Sequence, residues 1–210
     1  MAVKRVAAIG LLLAAVAASG CSGDRAAQPA AKAASAPVCK PAQLKGWRAL
    51  ARRIHAPVYC PAWMPDPLDG VIGSRWNNIN AVSPDRSYLE SWVWQETGPG
   101  AAGGELHVNL RAYPGVTKIP TCEDTQVVNG VVRHPKIPCF ADPNGRHRAG
   151  SIVATEYTVN QGADQWHVLY AWRKGGSLYT ISEHVAPPLD YAKVVRNLDR
   201  MLRSLVLVRP

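Results

Sequence analysis

Residues 164–208, DQWHVLYAWRKGGSLYTISEHVAPPLDYAKVVRNLDRMLRSLVLV, constrain the fold of this chain more than any other stretch. Trp166, Val168, Tyr170 and Trp172 alternate with His167, Leu169, Ala171 and Arg173. A period of two marks a strand with one apolar face. Lys174-Gly175-Gly176 supplies the positive φ values of a tight turn, and 178–185 reads as the returning strand. Pro187 and Pro188 stop it, because proline donates nothing to a ladder. Asp190 suits a helix N-cap. After it Tyr191, Val194, Val195, Leu198, Met201, Leu202 and Leu205 recur at helical spacing, with Lys193, Arg196, Arg200 and Arg203 on the other side. The pattern predicts an amphipathic helix lying on a sheet, followed by a short buried strand at 205–208.

The body upstream repeats these signals. A helix is expected over 43–54, with Leu44, Trp47, Leu50, Ala51 and Ile54 inward; Gly46 weakens it by up to ~1 kcal/mol. Residues 58–68, VYCPAWMPDPL, hold three prolines and read as an irregular, pinned segment. Strands are expected at 70–82, 87–96 and 105–113. In the second, Tyr88, Glu90, Trp92 and Trp94 share a face; in the third, Leu106, Val108, Leu110 and Ala112 point inward and His107, Asn109, Arg111 and Tyr113 outward. The glycine-rich 97–104 reads as a mobile connection. Residues 121–140 read as a flap, since Asn129-Gly130 between β-branched pairs is a strong hairpin signal. An Asp-Pro-Asn-Gly turn at 142–145 and a strand at 151–160 complete the pattern. Sequential strands with terminal helices predict one α+β domain over 39–210. Its mostly antiparallel sheet of about six strands carries an N-terminal and a C-terminal helix.

The start of the chain has a different character. Lys4 and Arg5 precede an apolar run from Val6 to Ala17, which reads as a secretory signal over 1–20. Ala18-Ser19-Gly20 immediately before Cys21 resembles a bacterial lipobox, with Ala18 where that pattern usually has Leu. The resemblance implies that Cys21 takes a diacylglyceryl group on its sulfur and becomes the mature N-terminus, on the extracytoplasmic face of the cell membrane. The Ala-, Pro-, Ser- and Gly-rich 22–38 reads as a tether. The closing helix and apolar strand resemble the end of the photosystem PsbP-type fold. That likeness implies an α/β sandwich and carries over no functional residue.

Of five cysteines, Cys39, Cys60, Cys122 and Cys139 remain after Cys21. An even number in an exported chain predicts two disulfides, with three connectivities open. The local pairs Cys39–Cys60 and Cys122–Cys139 need the least folding to meet, and each would contribute roughly 3 kcal/mol through loop closure. Zinc is the rival use of these thiols, but no CxxC pair supports it.

The chain carries a net charge of +9, and the excess is local. Between residues 21 and 65 seven basic residues (Arg25, Lys32, Lys40, Lys45, Arg48, Arg52, Arg53) face Asp24 alone; from 66 to 210 the count is 15 basic to 14 acidic. A basic residue near an anionic surface contributes about 1 kcal/mol, and one acyl chain anchors only marginally. The membrane-proximal basic residues Lys40, Lys45, Arg48, Arg52 and Arg53 are therefore expected to meet anionic headgroups or wall polymers. An exported protein meets no nucleic acid, and nothing in the chain names a protein partner.

Catalytic signatures are missing: no GxSxG elbow, P-loop, HExxH or EF-hand loop occurs. The reading is of a non-catalytic binding or scaffold module without catalytic residue, cofactor or metal. Its alternative is an envelope hydrolase or metal-dependent enzyme. That alternative needs the strand histidines His107, His167 and His184 to converge, with Glu156 or Glu183 as a fourth ligand. Seven tryptophans stand against one phenylalanine. Tryptophan suits a half-buried surface, so Trp92, Trp94, Trp166 and Trp172 are candidates for a ligand face, against the simpler role of filling the core.

Overall fold

Proline at the first helical position opens α1 (Pro41–Ile54), where its missing N–H costs nothing. Lys40 N–H donates to Gln43 Oε1 at 3.3 Å, and His55 closes the helix in the left-handed conformation. These elements come from a computed structural model that describes residues 39–65, 82–95, 105–161 and 166–210. All of them belong to the unit Ala33–Pro210, the second of two into which the chain divides. Cys21, the segment before it and the tether lie outside the described residues, as do the connection at 97–104 and all but Val82 of the strand expected at 70–82.

The expected α+β architecture is present. Strands β2 (Tyr88–Gln95), β3 (Glu105–Tyr113), β8 (Phe140–Ala149), β9 (Ile152–Asn160), β10 (His167–Lys174) and β11 (Ser177–His184) form an antiparallel sheet in the order β2-β3-β11-β10-β9-β8. Gly175 and Gly176, at φ 57° and 74°, make the turn between β10 and β11. One face of the sheet carries α1 and α2 (Tyr191–Ser204). Asp190 caps α2 by accepting from Lys193 N–H at 2.7 Å. Trp47, Leu50, Ala51 and Ile54 of α1 and Val194, Leu198, Met201 and Leu202 of α2 pack on Trp92, Val108, Leu110, Val168, Tyr170, Trp172, Tyr179 and Ile181. Each such large apolar side chain contributes about 1.5–3 kcal/mol.

Two elements depart from expectation. Residues 58–61 are the strand β1 (Val58–Pro61), paired antiparallel with β12 (Leu205–Val208). The prolines end β1 rather than prevent it, and Tyr59, in edge contact with Trp172 and Tyr179, seats it over the sheet. As half of a two-stranded ribbon, β12 buries only Val208 fully. The second departure is β8. The Asp-Pro-Asn-Gly sequence sits inside this strand, where Asp142 at φ 56° and a register shift between Pro143 and Gly145 form a bulge instead of a turn.

The flap spans β4 (Thr121–Glu123), β5 (Gln126–Val128), β6 (Val131–Arg133) and β7 (Lys136–Pro138). Asn129 and Gly130, both at positive φ, turn its tip, and Cys122–Cys139 bonds its base. The base covers a second cluster on the other face of the sheet: Cys139, Phe140, Leu169, Ala171 and Leu178.

Candidate functional site

The face away from the helices holds a polar patch beside that cluster. Side chains on a strand alternate between faces. The same pleat that buries Val108, Val168 and Ile181 under the helices therefore turns His107, Asn109, His167, Ser182 and His184 to the opposite side. His167 of β10 stands directly across from His184 of β11, and Val108 of β3 stands across from Glu183. One step along, His107 comes to His184. The imidazole centroids are 4.4 Å apart for His107–His167, 5.1 Å for His107–His184 and 5.2 Å for His167–His184. One potential ligand atom from each lies within 4.8 Å of the others.

The strand histidines thus converge, and they do so over a buried polar floor. His167 is 3% exposed, and Ser91, Asn109, Thr180 and Ser182 are as deeply buried. Buried polar groups are costly unless hydrogen-bonded. Here Ser182 Oγ lies 2.9 Å from His167 Nδ1, Ser91 Oγ donates to Asn109 Oδ1, and Asn160 Nδ2 donates to the His167 carbonyl. Burial foremost, then His107, His184 and Arg111, holds the His167 imidazole well below its usual range and so neutral at pH 7. Neutral imidazole is the form that ligates metals.

Neither proposed carboxylate joins the patch. Glu183 lies between Ser182 and His184 in sequence, so the pleat sends it to the helix face, where it accepts from Asn197 Nδ2 of α2 at 2.9 Å. Glu156 of β9, on the helix side with Tyr170, meets a different histidine. His147 Nε2 lies 2.8 Å from Glu156 Oε2, and His147 Nδ1 lies 2.8 Å from Asp199 Oδ1 of α2 and 2.9 Å from Tyr170 OH. Tyr191 OH and Asn144 Nδ2 both donate to Glu156 Oε1. Burial alone would raise the Glu156 carboxyl, but the hydrogen bonds from Tyr191, His147 and Asn144 outweigh it and bring it below its usual value. This network joins β8, β9, β10 and α2. The pairing of β8 with β9 brings His147 to Glu156, and the packing of β10 and α2 beside them adds Tyr170, Tyr191 and Asp199.

Two of the four tryptophans considered for a ligand face, Trp92 and Trp172, are buried. Trp92 stacks on Trp47, and Trp172 packs on Tyr59 and Tyr179, all in the core. Trp166 precedes β10 at φ 64° and is 75% exposed, out of phase with the strand it was expected to begin. The Trp94 side chain lies outside the described residues. Of the basic residues, Lys40, Lys45, Arg48, Arg52 and Arg53 are exposed on or next to α1, as a surface role requires. Of the two expected disulfides, Cys122–Cys139 is closed. Cys39 and Cys60 are free thiols, and the Cys39 thiol hydrogen-bonds that of Cys60. Compared with protein-family models, with curated proteins and with solved structures, the chain matches none of them.

Proposed function

We propose that this protein is a lipid-anchored extracytoplasmic envelope protein acting as a non-catalytic binding module, with the patch around His107, His167 and His184 as its ligand site. The observation that carries the reading is the meeting of three imidazoles from adjacent strands over a buried polar floor. A polar row in the middle of a sheet is expensive where apolar residues would serve, and a ligand accounts for its presence. Among the described residues the group is of imidazoles without a carboxylate, which suits holding a ligand better than a base and its orienting acid. Export is supported by the lipobox-like 18–21 and by a disulfide of the kind that persists in oxidising compartments. The exposed basic residues of α1 suit docking on anionic headgroups or wall polymers.

Two measurements test this reading. Cys21→Ala releases the protein from the membrane fraction, and a variant that stays bound overturns the anchor. Histidine carbethoxylation is then compared between intact envelopes and purified, chelator-washed protein. His107 and His184 are expected to be protected in envelopes and reactive after purification. Equal reactivity in both rules out an occupied site.

A further inference from the structure

We infer that His107, His167 and His184 form a three-histidine site for a divalent transition-metal ion of the zinc class, with Ser182 as its positioning residue. This deepens the reading of the patch as a ligand site and rests on it.

The geometry carries the inference. Zinc binds imidazole nitrogen at about 2.0–2.1 Å in tetrahedral geometry, which sets ligand atoms about 3.3 Å apart. The observed group lies within 4.8 Å. Rotation of half-buried side chains closes that gap, without movement of the backbone that holds them. The backbone is well fixed, because β3, β11 and β10 are adjacent and β11 is hydrogen-bonded on both sides. Strand pairing therefore sets the spacing of the three ligands, and no loop needs to order.

The donor set selects the metal. Three imidazoles suit zinc, copper and nickel; calcium and magnesium require oxygen ligands. With three protein ligands the fourth position is open to water or to a small ligand, and among the described residues no carboxylate joins to offset the charge of the ion.

The surroundings match what such ligands need. A ligating histidine is held by a hydrogen bond at its other ring nitrogen, and losing that partner typically costs 10–100-fold in affinity. Ser182 Oγ occupies that position at His167 Nδ1 and so directs Nε2 to the ion. Ser182 is itself completely buried beneath the patch, and Asn109 with Ser91 forms the adjoining floor. Simple packing does not explain the residue choice, since the same face is closed by Leu169, Ala171 and Leu178 a few residues away.

The test uses the purified full chain, stripped with a chelator and titrated with Zn²⁺ against a chromophoric competitor. One equivalent is expected to bind, and Co²⁺ in its place should give the intense visible absorption of a tetrahedral nitrogen site. His107→Asn and His184→Asn lie at half-buried positions and should fold; each is expected to weaken binding at least 100-fold. Ser182→Ala should weaken it 10–100-fold and Ser182→Thr should restore it, a rescue that a merely structural role would not give. Circular dichroism confirms the fold of each variant. Wild-type protein that binds no Zn²⁺, or binds it undiminished in both histidine variants, overturns the metal site. If His107 and His184 were nevertheless protected in envelopes, the binding reading would stand with a ligand other than a metal.

Discussion

Glu90 offers the most quantitative prediction. It lies on β2 opposite Leu110, faces the helices and is 1% exposed; its Oε2 has no hydrogen-bond partner among the described residues. Burial raises its pKa from 4.5 to about 8. The perturbation is Glu90→Gln, which keeps the shape and removes the titration. In the wild type the folded state holds the proton more tightly than the unfolded state. Below pH 4.5 both states are protonated and the contribution to stability is fully present. Above it the unfolded chain ionises while the folded one does not, and stability is lost until pH passes the folded pKa near 8. One pKa unit corresponds to about 1.36 kcal/mol. Wild type should therefore lose about 1.4 kcal/mol per pH unit relative to the variant, or about 5 kcal/mol across the whole window. The assay is urea unfolding of both proteins at pH 5, 6, 7 and 8. Glu183, also raised to about 8 by burial, is common to both and cancels in the difference. Parallel pH profiles would refute the claim that Glu90 is buried as a neutral acid.

Other expectations concern the staples and the second network. Replacing Cys122 and Cys139 by Ser should cost about 3 kcal/mol, because the bond closes a 17-residue separation; limited proteolysis should then cut first within 121–140. Because the Cys39 and Cys60 thiols touch, non-reducing peptide mapping of exported protein should recover a Cys39–Cys60 bond, and a Cys39–Cys122 peptide would refute the local pairing. His147→Ala leaves the buried Glu156 carboxylate without its imidazole and should cost about 3 kcal/mol by thermal unfolding. It should leave Zn²⁺ affinity unchanged, since its network is on the other face of the sheet.

Much of this architecture was legible because period-two and helical patterns depend on local rules. The alternation in β3, and in β10 from His167 onward, correctly separated the two faces of the sheet, and Asp190 marked the start of α2. Two strands were hidden by residues that normally interrupt strands. Pro61 sits at the last position of β1, and Asp142 and Gly145 flank a bulge in β8. The candidate site was half legible. Parity placed His107 and Asn109 on one face, but outward was equated with solvent-facing. Their burial depends on what covers the sheet, which no local pattern encodes. Convergence likewise needed the order β3-β11-β10, in which β11 enters between strands distant in sequence. The same parity argument, applied to Glu183, would have ruled it out as a fourth ligand.

The pleat has a consequence for how this protein can change over generations. Glu183 and His184 are neighbours at the end of β11 yet face opposite sides of the sheet, so a shift of one residue would exchange the two chemistries. Point substitutions can adjust either face independently. An insertion or deletion within β11 would exchange the faces beyond it, bringing Glu183 toward the histidines and Ser182 and His184 into the oily interior. Length variation should therefore accumulate in the connections, while the strands remain fixed in length even where their letters drift.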